Sequence, residues 1–224
     1  MTRTVKRRKV KKKSLLLFFS ILICLFVLVY YVLNFHITNI YIKGNTIYSD
    51  QEIIDRAKLS NYPRTLNNNE LVIKKRLESD PIIRRVRVIK KNLLREVYIS
   101  IDENKPLFIY NNQVILNNGQ AIELDIDIPV LINDIPDTKI KQEVYKSFVK
   151  IDSFVYGRIS EIKYDPNDKD NNRFLFMMND GNYVYITLRK IERINNYVEI
   201  ISAFEGKKGI LYLDSGEYFE LFGG

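Results

Sequence analysis

Residues 14–33 read SLLLFFSILICLFVLVYYVL, twenty positions without a charge, directly behind Arg3, Lys6, Arg7, Arg8, Lys9, Lys11, Lys12 and Lys13, eight cations with no anion among them. Wound as a helix at about 1.5 Å per residue, the stretch spans roughly 30 Å, the thickness of bilayer hydrocarbon. A buried core helix of that length would carry a polar stripe. A cleaved signal peptide would have a shorter apolar region ending in a small-x-small site, whereas the chain continues LNFHITNI after Val32. The pattern predicts a basic cytoplasmic tail at 1–13 and a transmembrane signal anchor at 14–33. The positive-inside rule keeps the N-terminus in the cytoplasm, and Tyr30 and Tyr31 suit the far interface. A single-pass type II topology follows, with the remaining residues carried outside the cell membrane.

Charge and rare residues narrow the function classes. The net charge of +8 resembles a nucleic-acid signature until it is located, because without the eight tail cations the remaining Lys and Arg equal the 27 Asp and Glu. The basic character belongs to the tail, and no nucleic-acid partner is expected. Cys24, the single cysteine, lies mid-anchor as a small apolar residue, so the outer part has no disulfide. His36, the single histidine, stands three residues past the anchor, which leaves no place for a Ser-His-Asp or Cys-His set or an ordinary zinc site. Asp165–Asn172 resembles a calcium loop but fails its register: counted from Asp168, Arg173 stands where the turn needs Gly and Asn179 where the bidentate Glu belongs. Asp125 and Asp127 have no cleft motif around them. No catalytic residue, cofactor, metal or small-molecule substrate is expected, and the function is expected to lie in protein binding, for which an unpaired strand edge is a ready template.

The outer part divides by pattern. Residues 37–43 alternate as a strand with Ile40 and Ile42 on one face, and Lys43-Gly44-Asn45 supplies a turn. Ser49-Asp50-Gln51-Glu52 is a capping-box pattern opening a helix with Ile53, Ile54 and Ala57 on one face. A second helix, near Asn68 to Glu78, has Ile73 and Leu77 on its stripe and Glu70 and Lys74 at i,i+4, and Asp80-Pro81 stops it. Strands at 82–90 and 95–103 follow, with Val86 and Val88 opposite Arg85 and Arg87, and Val97, Ile99 and Ile101 opposite Tyr98, Ser100 and Asp102. This order predicts a small βααββ domain at 37–106, both helices on the apolar face of a three-stranded sheet. Beyond it, turn-forming Asn-Asn, Asn-Asn-Gly, Asp-Gly and Asp-Ser-Gly stretches divide short strands. Helices are expected near 139–151, with Ile140, Val144, Phe148 and Ile151 inward, and near 190–204, with Ile191, Ile194, Val198 and Ile201 inward. A mainly antiparallel β domain with flanking helices is placed at 107–222, so the fold class is α+β.

In order and spacing, the tail, anchor, small domain and hairpin-rich domain resemble the FtsQ/DivIB family of bacterial cell-division proteins. Ile40–Asn45, the Ser49–Leu59 helix, Asp80–Val88 and Val97–Pro106 are similar to that family's POTRA domain. Val114–Gln120, Ile128–Leu131 and Gly209–Phe219 are similar to its β domain, with Asn117 where an Asp is commoner. The resemblance implies a non-enzymatic scaffold of the division septum. It would recruit coiled-coil division proteins of the FtsB/DivIC and FtsL types, together with the septal transpeptidase complex, and so be linked to cell-wall synthesis. It also implies that the end of the β domain receives a partner by strand addition, with Ile210, Tyr212, Tyr218 and Phe219 as contacts, Leu211 and Leu213 in the core, and the 190–204 helix beside the groove. Arg85 and Arg87, on the solvent face of a strand, would be a second partner surface. The alternative is a POTRA-type polypeptide-binding or chaperone module in protein transport.

Overall fold

The computed structural model describes residues 12–223, so most of the expected tail at 1–13 lies outside the described residues. Lys12–Leu33 forms one helix, α1, which begins two residues earlier than expected and buries none of its side chains. It is long and apolar enough to cross a membrane. The chain divides into two compact units at Glu103/Asn104.

In the first unit, β1 (Asn39–Lys43), α2 (Asp50–Arg56), α3 (Glu70–Leu77), β2 (Ile83–Lys91) and β3 (Glu96–Glu103) build a three-stranded sheet of order β1-β3-β2, with β1 and β3 parallel and β2 and β3 antiparallel. Ser49 caps α2 through a complete capping box with Glu52, and the Asn69 side chain caps α3. Ile53, Ala57, Ile73 and Leu77 from the helices bury against Val86, Val88, Val97, Ile99 and Ile101. One expected pair differs: Lys74 reaches Glu78 at 3.7 Å, while Glu70 accepts the Lys90 backbone N–H at 2.9 Å. Glu70 turns to an unpaired edge donor of β2, where a carboxylate satisfies a group that α3 cannot.

Two carboxylates hold this unit's turns. Glu103 accepts the backbone N–H groups of Thr46 and Ile47 at 2.8 and 2.9 Å, and Asp80 accepts Arg56 Nε, the Tyr48 hydroxyl and the Ile82 N–H. The Arg56 guanidinium also lies 3.6 Å from the Tyr48 ring centroid. Burial and the Asp80 charge push the Tyr48 phenol up.

The second unit contains β4 (Pro106–Tyr110), β5 (Gln113–Leu116), β6 (Ala121–Ile122), β7 (Val130–Leu131), α4 (Thr138–Ser147), α5 (Ser153–Tyr156), β8 (Ile159–Tyr164), β9 (Arg173–Met178), β10 (Tyr183–Thr187), α6 (Tyr197–Ser202), β11 (Gly209–Tyr212) and β12 (Tyr218–Leu221). The strands form a nine-stranded sheet in the order β12-β11-β10-β9-β8-β7-β4-β5-β6. Most pairs are antiparallel, but β4–β7, β7–β8 and β10–β11 run parallel. Phe148 is the hub of the core, with edge-on contacts to Phe108, Phe174 and Phe176 at ring separations of 5.6–6.2 Å.

The α-helix expected at 190–204 is a correction. Leu188–Asn196 winds as a 3₁₀ helix, irregular at Lys190, and only Tyr197–Ser202 is α-helical. The buried residues explain why: Leu188, Ile191, Ile194 and Tyr197 recur every third residue, the period of a 3₁₀ turn. Val198, expected inward, is exposed. This segment is the crossover that parallel pairing of β10 with β11 requires.

Gly44 shows how closely the first unit packs at its turn. Its φ is +88°, and a Cβ there would stand 2.2 Å from the Ile101 carbonyl oxygen. Gly44→Ala is expected to destabilise the unit by about 1–3 kcal/mol, read by denaturant titration, because backbone must move and the new residue is held in the left-handed region.

Candidate partner-binding site

The nine-stranded sheet ends in β6 on one side and β12 on the other, and in the C-terminal segment the end strand is β12, not β11. Among the described residues β12 pairs only with β11, while β11 is flanked by β10 on one side and β12 on the other. Phe222 N donates to Lys208 O at 3.0 Å, and antiparallel bonding alternates, so Glu220 and Tyr218 face β11. Phe219 and Leu221 then turn their N–H and C=O groups outward.

Gly209 makes the β11–β12 pairing possible. It is buried, and a Cβ there would lie 2.1 Å from the Glu220 carbonyl oxygen and 2.8 Å from Phe219 Cζ. Its N–H donates to the buried Asn182 Oδ1 at 3.0 Å, and Asn182 in turn donates to Asp180 and Tyr197. The end strand is thereby tied to the β9–β10 turn and to α6. Burial, with the Asp180 carboxylate beside it, pushes the Tyr197 phenol far up.

Side chains across this end form two different faces. On the outer face the Arg173 guanidinium lies 3.6 Å from the Tyr185 centroid, Tyr185 stacks on Tyr212 at 5.4 Å, and Tyr212 stacks on Tyr218 at 4.5 Å. Tyr218, on the edge strand, is exposed, and Ile210 and Tyr212 are half-buried one strand further in. On the core face Leu211 and Leu213 are buried, and Phe219 packs on Phe204 at 4.4 Å. Ile210 and Tyr212 therefore offer side chains without edge backbone, Tyr218 offers an exposed ring at the edge, and Phe219 offers backbone while its ring covers the core. Composition alone pointed to none of Gly209, Leu221, Arg173 or Tyr185; the shared phase of Tyr183 and Tyr185 was the one available sign.

Arg173 anchors this row, donating to Asp165 and Asp214 at 2.8 Å each. Burial opposes the Asp214 charge, but the Arg173 guanidinium and the Ser215 N–H more than offset it and hold the carboxyl below its usual range. The Asp165–Asn172 stretch is a set of turns, with Asn167 Oδ1 accepting the Lys169 and Asp170 N–H groups. Among the described residues no group of three His, Cys, Asp or Glu is placed to hold a metal ion.

Arg85 and Arg87 lie in the other unit, exposed on the outer face of its sheet. Arg87 lines a shallow hollow of about 300 Å³ with Tyr41, Lys43, Lys91 and Tyr98. Tyr41 and Tyr98 stack at 4.6 Å, and Lys91 Nζ stands 4.7 Å from the Tyr98 centroid. Arg84, beside them, pairs with Asp102.

A long apolar helix fit to cross a membrane, a βααββ unit and a second unit built on a nine-stranded sheet make up the described chain. Residues 35–104 match the POTRA domain of the FtsQ type. The chain is 28% identical over 232 residues to the cell division protein DivIB of Bacillus subtilis, covering 97% of this chain and 88% of that protein. It is 26% identical to that of Geobacillus kaustophilus, covering 80% of this chain and 72% of that one. The solved major extracytoplasmic domain of DivIB from Geobacillus stearothermophilus, a trans isomer, aligns at 24% identity with a TM-score of 0.38, over 46% of this chain and 96% of that one. Over nearly its whole length the chain is thus similar to DivIB-type bacterial cell-division proteins, and its residues 35–104 are a POTRA domain of the FtsQ type.

Two outcomes test this geometry. Gly209→Val should unseat β12, seen as faster amide exchange at residues 218–221 with β8–β10 still protected. Asp214→Asn should cost about 1.5–3 kcal/mol at neutral pH. Because the folded Asp214 pKa is depressed, its contribution is present above the unfolded carboxylate range near pH ~4 and is lost as pH falls through the lower folded value. Denaturant titrations across acid pH should therefore show a steeper loss for the parent chain than for Asp214→Asn.

Proposed function

We propose that this protein is a non-enzymatic bitopic scaffold of the bacterial divisome. Its N-terminus lies in the cytoplasm and its two outer units lie outside the membrane at the septum. It recruits coiled-coil division proteins of the FtsB/DivIC and FtsL types by strand addition and links them to septal wall synthesis. The observation that carries this reading is the open edge of β12, where Phe219 and Leu221 present outward backbone groups beside the exposed ring of Tyr218. Main-chain bonds along such an edge supply affinity, and pockets for alternate side chains supply selectivity. The tyrosine row and the Phe204–Phe219 pair would be those pockets. Arg85 and Arg87 form a second docking surface for an acidic partner, beside the hollow that Arg87 lines with the stacked Tyr41 and Tyr98.

Proline at the right position separates docking from folding. Tyr212 is unsuitable, because it pairs within the sheet on both sides. Leu221→Pro removes an outward N–H and leaves the bonds toward β11 intact. In pull-downs of the full chain from detergent with a DivIC-type partner, Leu221→Pro should weaken capture at least about tenfold, equivalent to ~1.4 kcal/mol. Unchanged capture, or recovery of unfolded polypeptides in place of coiled-coil partners, would turn the reading toward a polypeptide-transport module.

A further inference from the structure

The POTRA unit carries large apolar side chains that its own fold leaves uncovered. Leu71 is 76% exposed, Tyr62 68%, Leu93 64% and Leu66 44%. They come from three separate places: the loop between α2 and α3, the first turn of α3, and the tip between β2 and β3. Scattered leucines on a surface need no explanation, but a group at one end of a domain does.

The fold brings these segments to the end of α1. Leu33, the last residue of that helix, lines one cavity with Leu66, Leu71, Leu94 and Lys90. Thr65 N donates to Phe35 O at 2.8 Å, Ile37 N to Pro63 O at 3.0 Å and Thr38 N to Arg95 O at 2.9 Å. The Arg95 guanidinium stands 5.6 Å from the Phe35 ring centroid. The link between helix and domain is therefore bonded along its length. Residues 34–37 could reach about 14 Å fully extended. Their reach here is less, since Asn34 N and Phe35 N still bond back to Tyr30 O and Val32 O as a continued helical turn. The interfacial layer of one leaflet is roughly 5–7 Å deep, so a domain tied this closely to the helix end cannot stand clear of it.

Backbone conformation adds an independent sign. Asn92, Leu93 and Leu94 all hold left-handed backbone, at φ 48°, 52° and 67°. Non-glycine residues there cost about 1–2 kcal/mol each, and the result is a turn that holds Leu93 out into its surroundings. Around the leucines stand Arg64 and Arg95, both exposed.

We propose that this end of the POTRA unit is a membrane-docking surface. Leu66, Leu71, Leu93 and Tyr62 enter the interfacial layer of the bilayer that α1 crosses, and Arg64 and Arg95 meet phospholipid phosphates. Its occupant is lipid because the surface continues directly from the apolar helix, and because aromatic and long cationic side chains are the groups that settle at this depth. Docking fixes the height and tilt of the POTRA unit on the membrane. The inference rests on the reading of α1 as a membrane anchor, and the experiment separates the two.

The chain contains no tryptophan, so single-Trp variants report one position each. Leu93→Trp, Leu71→Trp, Gln51→Trp and Leu25→Trp would be made in the full chain and reconstituted into phosphatidylethanolamine–phosphatidylglycerol vesicles, with and without brominated acyl chains. Leu93→Trp and Leu71→Trp should emit to the blue of Gln51→Trp, at the far end of α2, and should lose intensity in brominated lipid, as Leu25→Trp does within the anchor. Quenching of Leu25→Trp without quenching at positions 93 and 71 overturns the docking surface alone. A blue shift at 93 and 71 without quenching assigns the surface to another protein copy and also overturns it. No quenching at Leu25→Trp removes the anchor and the docking surface together.

Discussion

Arg173 holds the end of the large sheet together from the middle of its outer face. Its guanidinium bonds Asp165 after β8 and Asp214 after β11, and its plane lies over Tyr185 of β10. Three segments far apart in sequence meet at one cation that is itself largely withdrawn from water, so the pairing is little screened and loss of either carboxylate leaves a charge unsatisfied. From Tyr185 the stack passes through Tyr212 to Tyr218, and the order imposed by Arg173 reaches the open edge. Gly209 completes the arrangement on the opposite margin of β11, where only a residue without Cβ lets β12 approach. The open edge at β12 is thus a consequence of one largely buried cation and one missing methyl group.

The POTRA unit uses carboxylates in a related way, but on backbone. Glu103 and Asp80 collect N–H groups at turns that strands and helices leave unpaired, and Glu70 does the same at the edge of β2. Turns at the end away from α1 are closed by such bonds. The end beside α1 is closed instead by the linker and finished in leucines. The leucine-bearing end, where Glu70 and Lys90 also stand, is the one at which α1 arrives.

Much of this was legible in local pattern. The uncharged run at 14–33, the capping box at Ser49–Glu52 and the alternation in β2 and β3 each rest on residues within a few positions of one another, and each appears where its period put it. The inward Ile140 and Val144 of α4 follow the same logic, whereas the burial of Leu211 and Leu213 was an expectation of the family resemblance. The 190–204 segment is ambiguous in sequence: Ile191, Ile194, Val198 and Ile201 fit a helical stripe of 3.6, while Leu188, Ile191, Ile194 and Tyr197 fit a period of three equally well. Packing against the sheet chose the second.

The sequence by itself determined that the chain has a long apolar helix, a βααββ unit and a hairpin-rich unit, and which side chains of the first unit's strands face inward. These properties are set by composition and short-range periodicity. Tertiary structure alone decided which strand ends the sheet, that Tyr185, Tyr212 and Tyr218 share one stack, and that Leu66, Leu71 and Leu94 from three separate segments gather beside Leu33. Such outcomes depend on pairings between residues tens of positions apart and on close approaches such as that of Gly209 to Glu220. No local period records which strand lies next to which; the crossover through 188–202 and the space available at one glycine settled it.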